Sequence, residues 1–331
     1  MKYTSLGQTS IHVSRIAMGL WQAGGEWGAV DEAAETATIR RALDLGINFF
    51  DTAQAYGFGA SERRLGAALS DEIRRGRDKI VIATKGGLRQ TGDGLVRDAS
   101  RAWLRQGIED SLRSLGTDYV DLHQIHWPDH HTPFAETAGA LNEFVREGKA
   151  RYVGVSNFSA AEVADMGRSR RVDTLQPPYS LFRREIERDI LPYCRDQGIG
   201  VLVYGPLAHG LLGGRMTADP KFPVGDWRSA SPNFRGETLR TNLAVVDRLR
   251  QLAERRGHSL PNLAIAWTLT APGVHVAIVG SHSPEQMAGT VGAADLDLTP
   301  AELTEIESIM TAAVPLGGPS PEAMPTAASE S

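Results

Sequence analysis

The chain of 331 residues carries 40 acidic against 35 basic side chains, a net charge of -5, and a single cysteine, Cys194. That balance argues against nucleic acid or an anionic membrane as the main partner, and one thiol excludes an internal disulfide and suits a reducing cytoplasm. The opening stretch MKYTSLGQTS has no apolar signal-peptide core, and no window approaches the ~20 apolar residues of a membrane span. A cytoplasmic protein is expected.

Lys2 to Val13 reads as a small hairpin turning near Gly7 and Gln8. Eight β-rich runs follow, separated by longer amphipathic segments: Ile16 to Leu20, Ile47 to Phe50, Lys79 to Ala83, Tyr119 to Leu122, Tyr152 to Val155, Thr174 to Gln176, Gly200 to Val203 and His275 to Val279. The helical pattern is plainest after the third run. There Leu104, Ile108, Leu112 and Leu115 recur at i, i+4, i+8 and i+11 behind Ser100, which is placed as a cap. Gly46, Gly116, Gly148, Gly198 and Gly257 fall just past helical segments, where a left-handed residue is wanted. A long insertion rich in Gly, Pro and Arg runs from Ala208 to Arg240 after the seventh strand. The tail from Ala313 to Ser331 is nearly devoid of apolar residues, and disorder is expected there.

Strand–helix alternation implies a parallel sheet. Eight such units in a chain above about 250 residues match a (β/α)8 TIM barrel. The N-terminal hairpin would close its floor, and residues 1–312 would form one domain. The competing doubly wound dinucleotide fold opens with G-x-G-x-x-G after its first strand. The chain has no such motif.

Functional residues of such a barrel stand at the C-terminal ends of its strands. Reading those ends in INFFDTAQAYG, VIATKGG and DLHQIHWPD gives Asp51, then Lys85, then His126, with Tyr56 in the loop beyond Asp51. Consecutive strands bring all four to one small volume. A buried carboxylate needs a partner, and Lys85 is the one available to Asp51. Tyr56 within reach of that cation becomes a candidate general acid, because positive charge favours the phenolate. His126 would donate a hydrogen bond to a carbonyl oxygen turning into an alkoxide. Taken singly, each has a plain structural role as a turn residue or a solvated charge; the joint placement is what points to proton transfer. Four histidines in HQIHWPDHH (His123, His126, His130, His131) suggest a metal, but strand alternation sends His123 and His126 to opposite faces. No metal is expected. Trp21 and Trp127, after the first and fourth strands, are candidate walls of a substrate pocket with Tyr56, and Trp227 is either a third wall or a loop anchor.

The stretches INFFDTAQAYG, IATKGG, SLRSLGTDYVDLHQIHWPD, GKARYVGVSNF, LQPPYSLF, YGPLAHGLLGG and IVGSHSPEQ, in this order, resemble the aldo-keto reductase family across nearly the whole chain. The spacing of Asp51, Tyr56, Lys85 and His126 matches the catalytic tetrad of that family. The resemblance implies an NAD(P)(H)-dependent oxidoreductase interconverting aldehydes or ketones with alcohols, with NADP(H) as cofactor and NAD(H) possible. It implies that Ser156, Asn157 and Gln176 meet the nicotinamide carboxamide and that Tyr204 stacks on the ring. Gly19 and Trp21 would also touch the cofactor. Gly205, Pro206, Leu207, Leu212, Gly214 and Arg215 would wrap the pyrophosphate. Gly280, Ser281, Ser283 and Gln286 would lie near the adenosine phosphate. The chain departs from the family in SHSPEQ, which lacks the lysine or arginine that holds a 2′-phosphate. A modest NADPH preference is expected, growing at low pH as His282 protonates. Two rivals stay open: a nucleotide-binding regulatory or sensor subunit of this fold, and a non-redox barrel enzyme. Substrate specificity is expected in Gln22 to Val30, Pro128 to Phe134 and Ala208 to Arg240.

Overall fold

The protein is described by a computed structural model covering residues 1–25, 30–92, 94–223 and 226–318. The expected specificity segments Gln22 to Val30 and Ala208 to Arg240 therefore lie partly outside the described residues, as does the tail from residue 319 onward.

Eight parallel strands close into a barrel. They are β1 (Ile16–Gly19), β2 (Phe49–Asp51), β3 (Val81–Gly86), β4 (Val120–Ile125), β5 (Ala150–Ser156), β6 (Thr174–Gln176), β7 (Gly200–Tyr204) and β8 (Val274–Gly280). The ring is sealed where Gly280 of β8 pairs with Gly19 of β1. All eight runs expected from the sequence are strands, but β3 and β4 reach three residues further toward the top than expected. Thr84–Gly86 and His123–Ile125 break the apolar run, so they read as loop; the polar residues there face a lined interior rather than solvent. Helices follow the strands around the outside. Arg101–Leu115 is the segment that Leu104 to Leu115 announced, begun by Ser100 Oγ accepting from Trp103 N and ended at Gly116, whose φ of +66° is left-handed.

Period-two alternation divides the core in two. Ala17, Phe49, Ala83, Leu122, Leu202 and Val276 point into the barrel, while Met18, Phe50, Ile82 and Val203 face the helices. Antiparallel Tyr3–Ser5 and His12–Ser14 form the expected hairpin. Its Leu6, Ile11 and Val13 are buried in the same cluster as the inward residues, so it plugs the barrel. Gly7 makes that close approach possible: its φ is +57°, and a Cβ there would lie 2.4 Å from the Gly200 nitrogen.

Two features were not foreseen. A second hairpin, Leu88–Thr91 with Gly94–Arg97, rises after β3. The beginning of the tail is docked, not loose. Val314 exchanges hydrogen bonds with Asn242 at 2.8 and 2.9 Å, Leu316 N donates to Phe182 O at 2.8 Å, and Asn233 Nδ2 reaches Gly317 O at 2.9 Å. Backbone pairing and one buried leucine hold a segment that has no hydrophobic period to announce it.

Candidate active site

Alternation along β2, β3, β4 and β6 turns Asp51, Lys85, Gln124 and Gln176 inward at one level of the barrel. Lys85 is 1% exposed, and its ammonium reaches Asp51 Oδ1 at 2.5 Å, Thr52 O at 3.0 Å and Tyr56 Oη at 3.3 Å. An ammonium has three donors, and all three have acceptors. Asp51 Oδ2 in turn accepts from Gln176 Nε2 at 2.8 Å and Gln124 Nε2 at 3.3 Å. A buried ion pair is tolerable only when its remaining hydrogen-bonding capacity is filled. Here it is, by two glutamines of which only Gln176 was singled out in the sequence. Gln124 was legible: it lies two residues after inward-facing Leu122 on the same strand.

Tyr56 and His126 complete the set. Their rings meet edge to face at 5.6 Å and 79°. His126 is buried, and burial first, then the charge of Lys85, holds its pKa well below the ordinary imidazole value. The ring is therefore neutral near pH 7. Its Nδ1 is buried with no hydrogen-bond partner among the described residues. Nothing there accepts a proton from Nδ1, so the tautomer with hydrogen on Nε2 is favoured and Nε2 is left as a donor. His123 faces the other way, edge-on to Phe144 at 5.4 Å, and no group of three metal-ligating side chains exists among the described residues.

Asp51, Tyr56 and His126 form the inner end of a cavity of about 920 Å3. Its lining takes in most residues that the resemblance assigned to cofactor: Gly19, Trp21, Ser156, Asn157, Gln176, Tyr204, Gly205, Pro206, Leu207, Arg215, Gly280, Ser283 and Gln286. Leu212, Gly214 and Ser281 do not reach it. Leu212 is fully buried beneath the loop, and Ser281 turns its hydroxyl onto Ser283 O at 2.9 Å. Ser283 Oγ is likewise engaged, accepting from Gln286 N at 3.2 Å. Trp127 is not a cavity wall either. It packs beneath the Arg97 guanidinium, 4.9 Å from its ring, on the second hairpin that the sequence did not reveal. Trp227 anchors the insertion, edge-on to His209 at 5.0 Å and Phe234 at 5.6 Å.

The insertion also brings cations that were not singled out. Lys221 and Arg228 line the cavity with Arg215. Arg228 is clamped by buried Asp226 through Nε at 3.0 Å and Nη2 at 2.6 Å, and donates through Nη1 to His209 O at 3.1 Å. Arg215 is exposed and makes no ion pair among the described residues. His282 has its pKa lowered, first by burial and then by the Arg228 charge. Both effects oppose the gain of charge expected of His282 at low pH.

A family profile described as Aldo/keto reductase family matches residues 15–311. Aldo-keto reductase YhdN of Bacillus subtilis (strain 168) is 43% identical over 289 residues, 87% of either chain. An NADH-specific methylglyoxal reductase of Escherichia coli (strain K12) is 36% identical over 92% of this chain and 97% of its own. The structure of the glycerol dehydrogenase AKR11B4 from Gluconobacter oxydans superposes with a TM-score of 0.87 at 39% identity, covering 96% of this chain and 98% of that one. The profile spans the whole barrel that carries the Asp51–Lys85–Tyr56 cluster, and relatives this similar extend over most of both chains: the chain belongs to the aldo/keto reductase family.

Proposed function

We propose that the chain interconverts aldehydes or ketones with the corresponding alcohols, using NAD(P)(H), with Tyr56 as proton donor for reduction. The observation that carries this reading is Lys85 Nζ touching both Asp51 and Tyr56 Oη at the inner end of a deep cavity. That cavity suits a dinucleotide. The Tyr204 ring forms part of its wall, Gly205, Gly210 and Gly213 bare the backbone, and Arg215, Lys221 and Arg228 bring positive charge to it. Ser156, Asn157 and Tyr204 would hold the nicotinamide end, with Gln176 offering Oε1 because its nitrogen is spent on Asp51. When bound, the cofactor supplies hydride to the carbonyl carbon.

The protein residues do the rest. His126 Nε2 donates to the carbonyl oxygen and orients it. Tyr56 gives that oxygen its proton, and the ammonium 3.3 Å away stabilises the phenolate left behind. Asp51 keeps the ammonium in place. In alcohol oxidation the phenolate takes the proton back.

NADPH is the expected preferred cofactor and NADH an accepted one, since the cations stand on the insertion and none on SHSPEQ. Names of relatives suggest small polar substrates such as methylglyoxal and glycerol. The test is absorbance at 340 nm with a panel holding methylglyoxal, glyceraldehyde and 4-nitrobenzaldehyde, run with each cofactor. Oxidation of either cofactor by a carbonyl supports the reading; none with any pair overturns it.

A further inference from the structure

Gln22 sits in the turn after β1. Its Nε2 donates to Gly19 O at 3.1 Å and Ser281 O at 3.0 Å, tying β1 to β8 where the barrel closes. A third contact, at 3.5 Å, reaches Oε1 of Glu35 on the helix Glu32–Asp44. With the nitrogen committed to these acceptors, Oε1 accepts no hydrogen bond among the described residues. It lies at the cavity wall beside Gly280, where an added Cβ would stand 3.2 Å from it. Glu35 behind it is 5% exposed. None of these contacts serves the tetrad.

Asp51, Tyr56 and His126 occupy one end of the cavity. A dinucleotide with its nicotinamide beside Tyr56 has the insertion, Ser259, Pro261 and the Ile278 to Thr290 segment as walls for its adenosine half.

We propose that Gln22 and Glu35 set the choice between NADH and NADPH: Gln22 Oε1 accepts from a ribose hydroxyl at the Gly280 wall, and the Glu35 carboxylate behind it disfavours a phosphate in that place. The proposal rests on the reading that the cavity takes a nicotinamide dinucleotide. An amide oxygen whose nitrogen is already spent accepts a hydrogen bond from a hydroxyl and offers nothing to a dianion. Glu35 is a positioning residue, acting through the amide it orients and through its charge.

Burial pushes the Glu35 pKa up to about 7, against the opposing effects of the Gln22 hydrogen bond and the Arg64 charge. Arg64 comes from the helix Ala60–Ala68 and also holds Glu32 Oε1 at 3.1 Å. The short helix Pro284–Ala288, packed on the helix of Glu35, brings Glu285, and His282 just before it has its pKa lowered by burial and then by the Arg228 charge. Glu35 therefore gains its charge between pH 6 and 8, and NADPH should lose ground to NADH over that interval.

Binding constants for both cofactors, read by fluorescence at pH 6 and 8 without substrate, test this in the wild type, Glu35→Gln and Gln22→Ala. The Kd ratio of NADPH to NADH should rise about three- to tenfold with pH in the wild type, the size of one partly screened charge. In Glu35→Gln the ratio should stay lower at pH 8 and lose that rise. The 2′-phosphate itself titrates near pH 6, equally in every variant, so the comparison between variants cancels it. Gln22→Ala should weaken NADH more than NADPH. A ratio in Glu35→Gln equal to wild type at both pH values overturns the proposal. If that variant does not fold, an unchanged ratio in Gln22→Ala overturns it alone. A protein that binds both cofactors as described but turns over no carbonyl sinks the catalytic reading and leaves this one standing; binding of neither overturns both.

Discussion

Asp51 accepts from Lys85, Gln124 and Gln176, and Lys85 gives all three of its donors away, so each charge is neutralised and immobile. Within this cluster the phenol of Tyr56 is the proposed source of the substrate's proton. Tyr56→Phe keeps the ring against His126 and Trp21 and removes that proton. The kcat for carbonyl reduction should fall about 10²–10⁴-fold, with the Kd of the cofactor nearly unchanged. A variant keeping more than about a tenth of kcat, with a deuterium isotope effect showing chemistry to be limiting, refutes the assignment. The same cluster predicts a stability effect. Lys85→Met leaves Asp51 buried with two amides and no cation, and breaking one side of a buried pair costs about 3–5 kcal/mol. Adding Asp51→Asn should recover part of that loss. Urea midpoints of the two single variants and the double variant decide it, and simple additivity would show no coupling.

The insertion after β7 is the element on which cofactor affinity should depend most. Its cations differ in kind: Arg228 is held by Asp226, whereas Arg215 stands exposed at the cavity and makes no ion pair among the described residues. One charge-assisted contact to phosphate is worth roughly 1.5–3 kcal/mol. Arg215→Ala should therefore raise the cofactor Kd about ten- to a hundredfold, while single-turnover rates at saturating cofactor change little. Fluorescence titration measures the first quantity, and an unchanged Kd means this part of the insertion does not reach the phosphates. Strand tops taught the reverse lesson about legibility. Asp51, Lys85 and His126 were readable because each stands just past an apolar run, near the C-terminal end of a strand. Trp127 ends such a run too, yet the hairpin Leu88–Arg97 supplies Arg97 to cover it. No local pattern predicts which neighbour arrives first.

At the scale of the whole molecule, buried titrating groups make stability depend on pH. His123 lies between the sheet and the helix Phe134–Arg146, with both ring nitrogens buried and without a hydrogen-bond partner among the described residues, and burial pushes its pKa down to about 4 from 6.5. The unfolded chain takes up that proton first, so stability is held above pH 6.5 and lost as pH falls toward 4. The full loss approaches about 3 kcal/mol. Glu35 acts oppositely: its raised pKa adds stability below 4.5 that disappears as pH climbs through about 7. His123→Leu removes an unsatisfied polar ring from an apolar site, which is neutral or stabilising at pH 7. Thermal melts at pH 7, 5.5 and 4.5 should show a smaller acid loss in that variant. An acid loss as steep as wild type would place the sensitive group elsewhere.

What could be read from the chain alone was whatever short-range rules control. Alternating apolar runs, capping Ser100 and terminal Gly116 specified eight strand–helix units, and the order of strands put Asp51, Lys85 and His126 on neighbouring staves. The tertiary structure decided which side chains meet across long separations. Gln22 reaches Ser281 from 259 positions away only because β8 closes onto β1, and Val314 finds Asn242 only once the helix Gly236–Arg255 lies under the chain end. Periodicity and turn chemistry act over a few residues. Contacts made by barrel closure, by an insertion folding back and by a docked chain end depend on the register of the whole, which no local stretch of sequence carries.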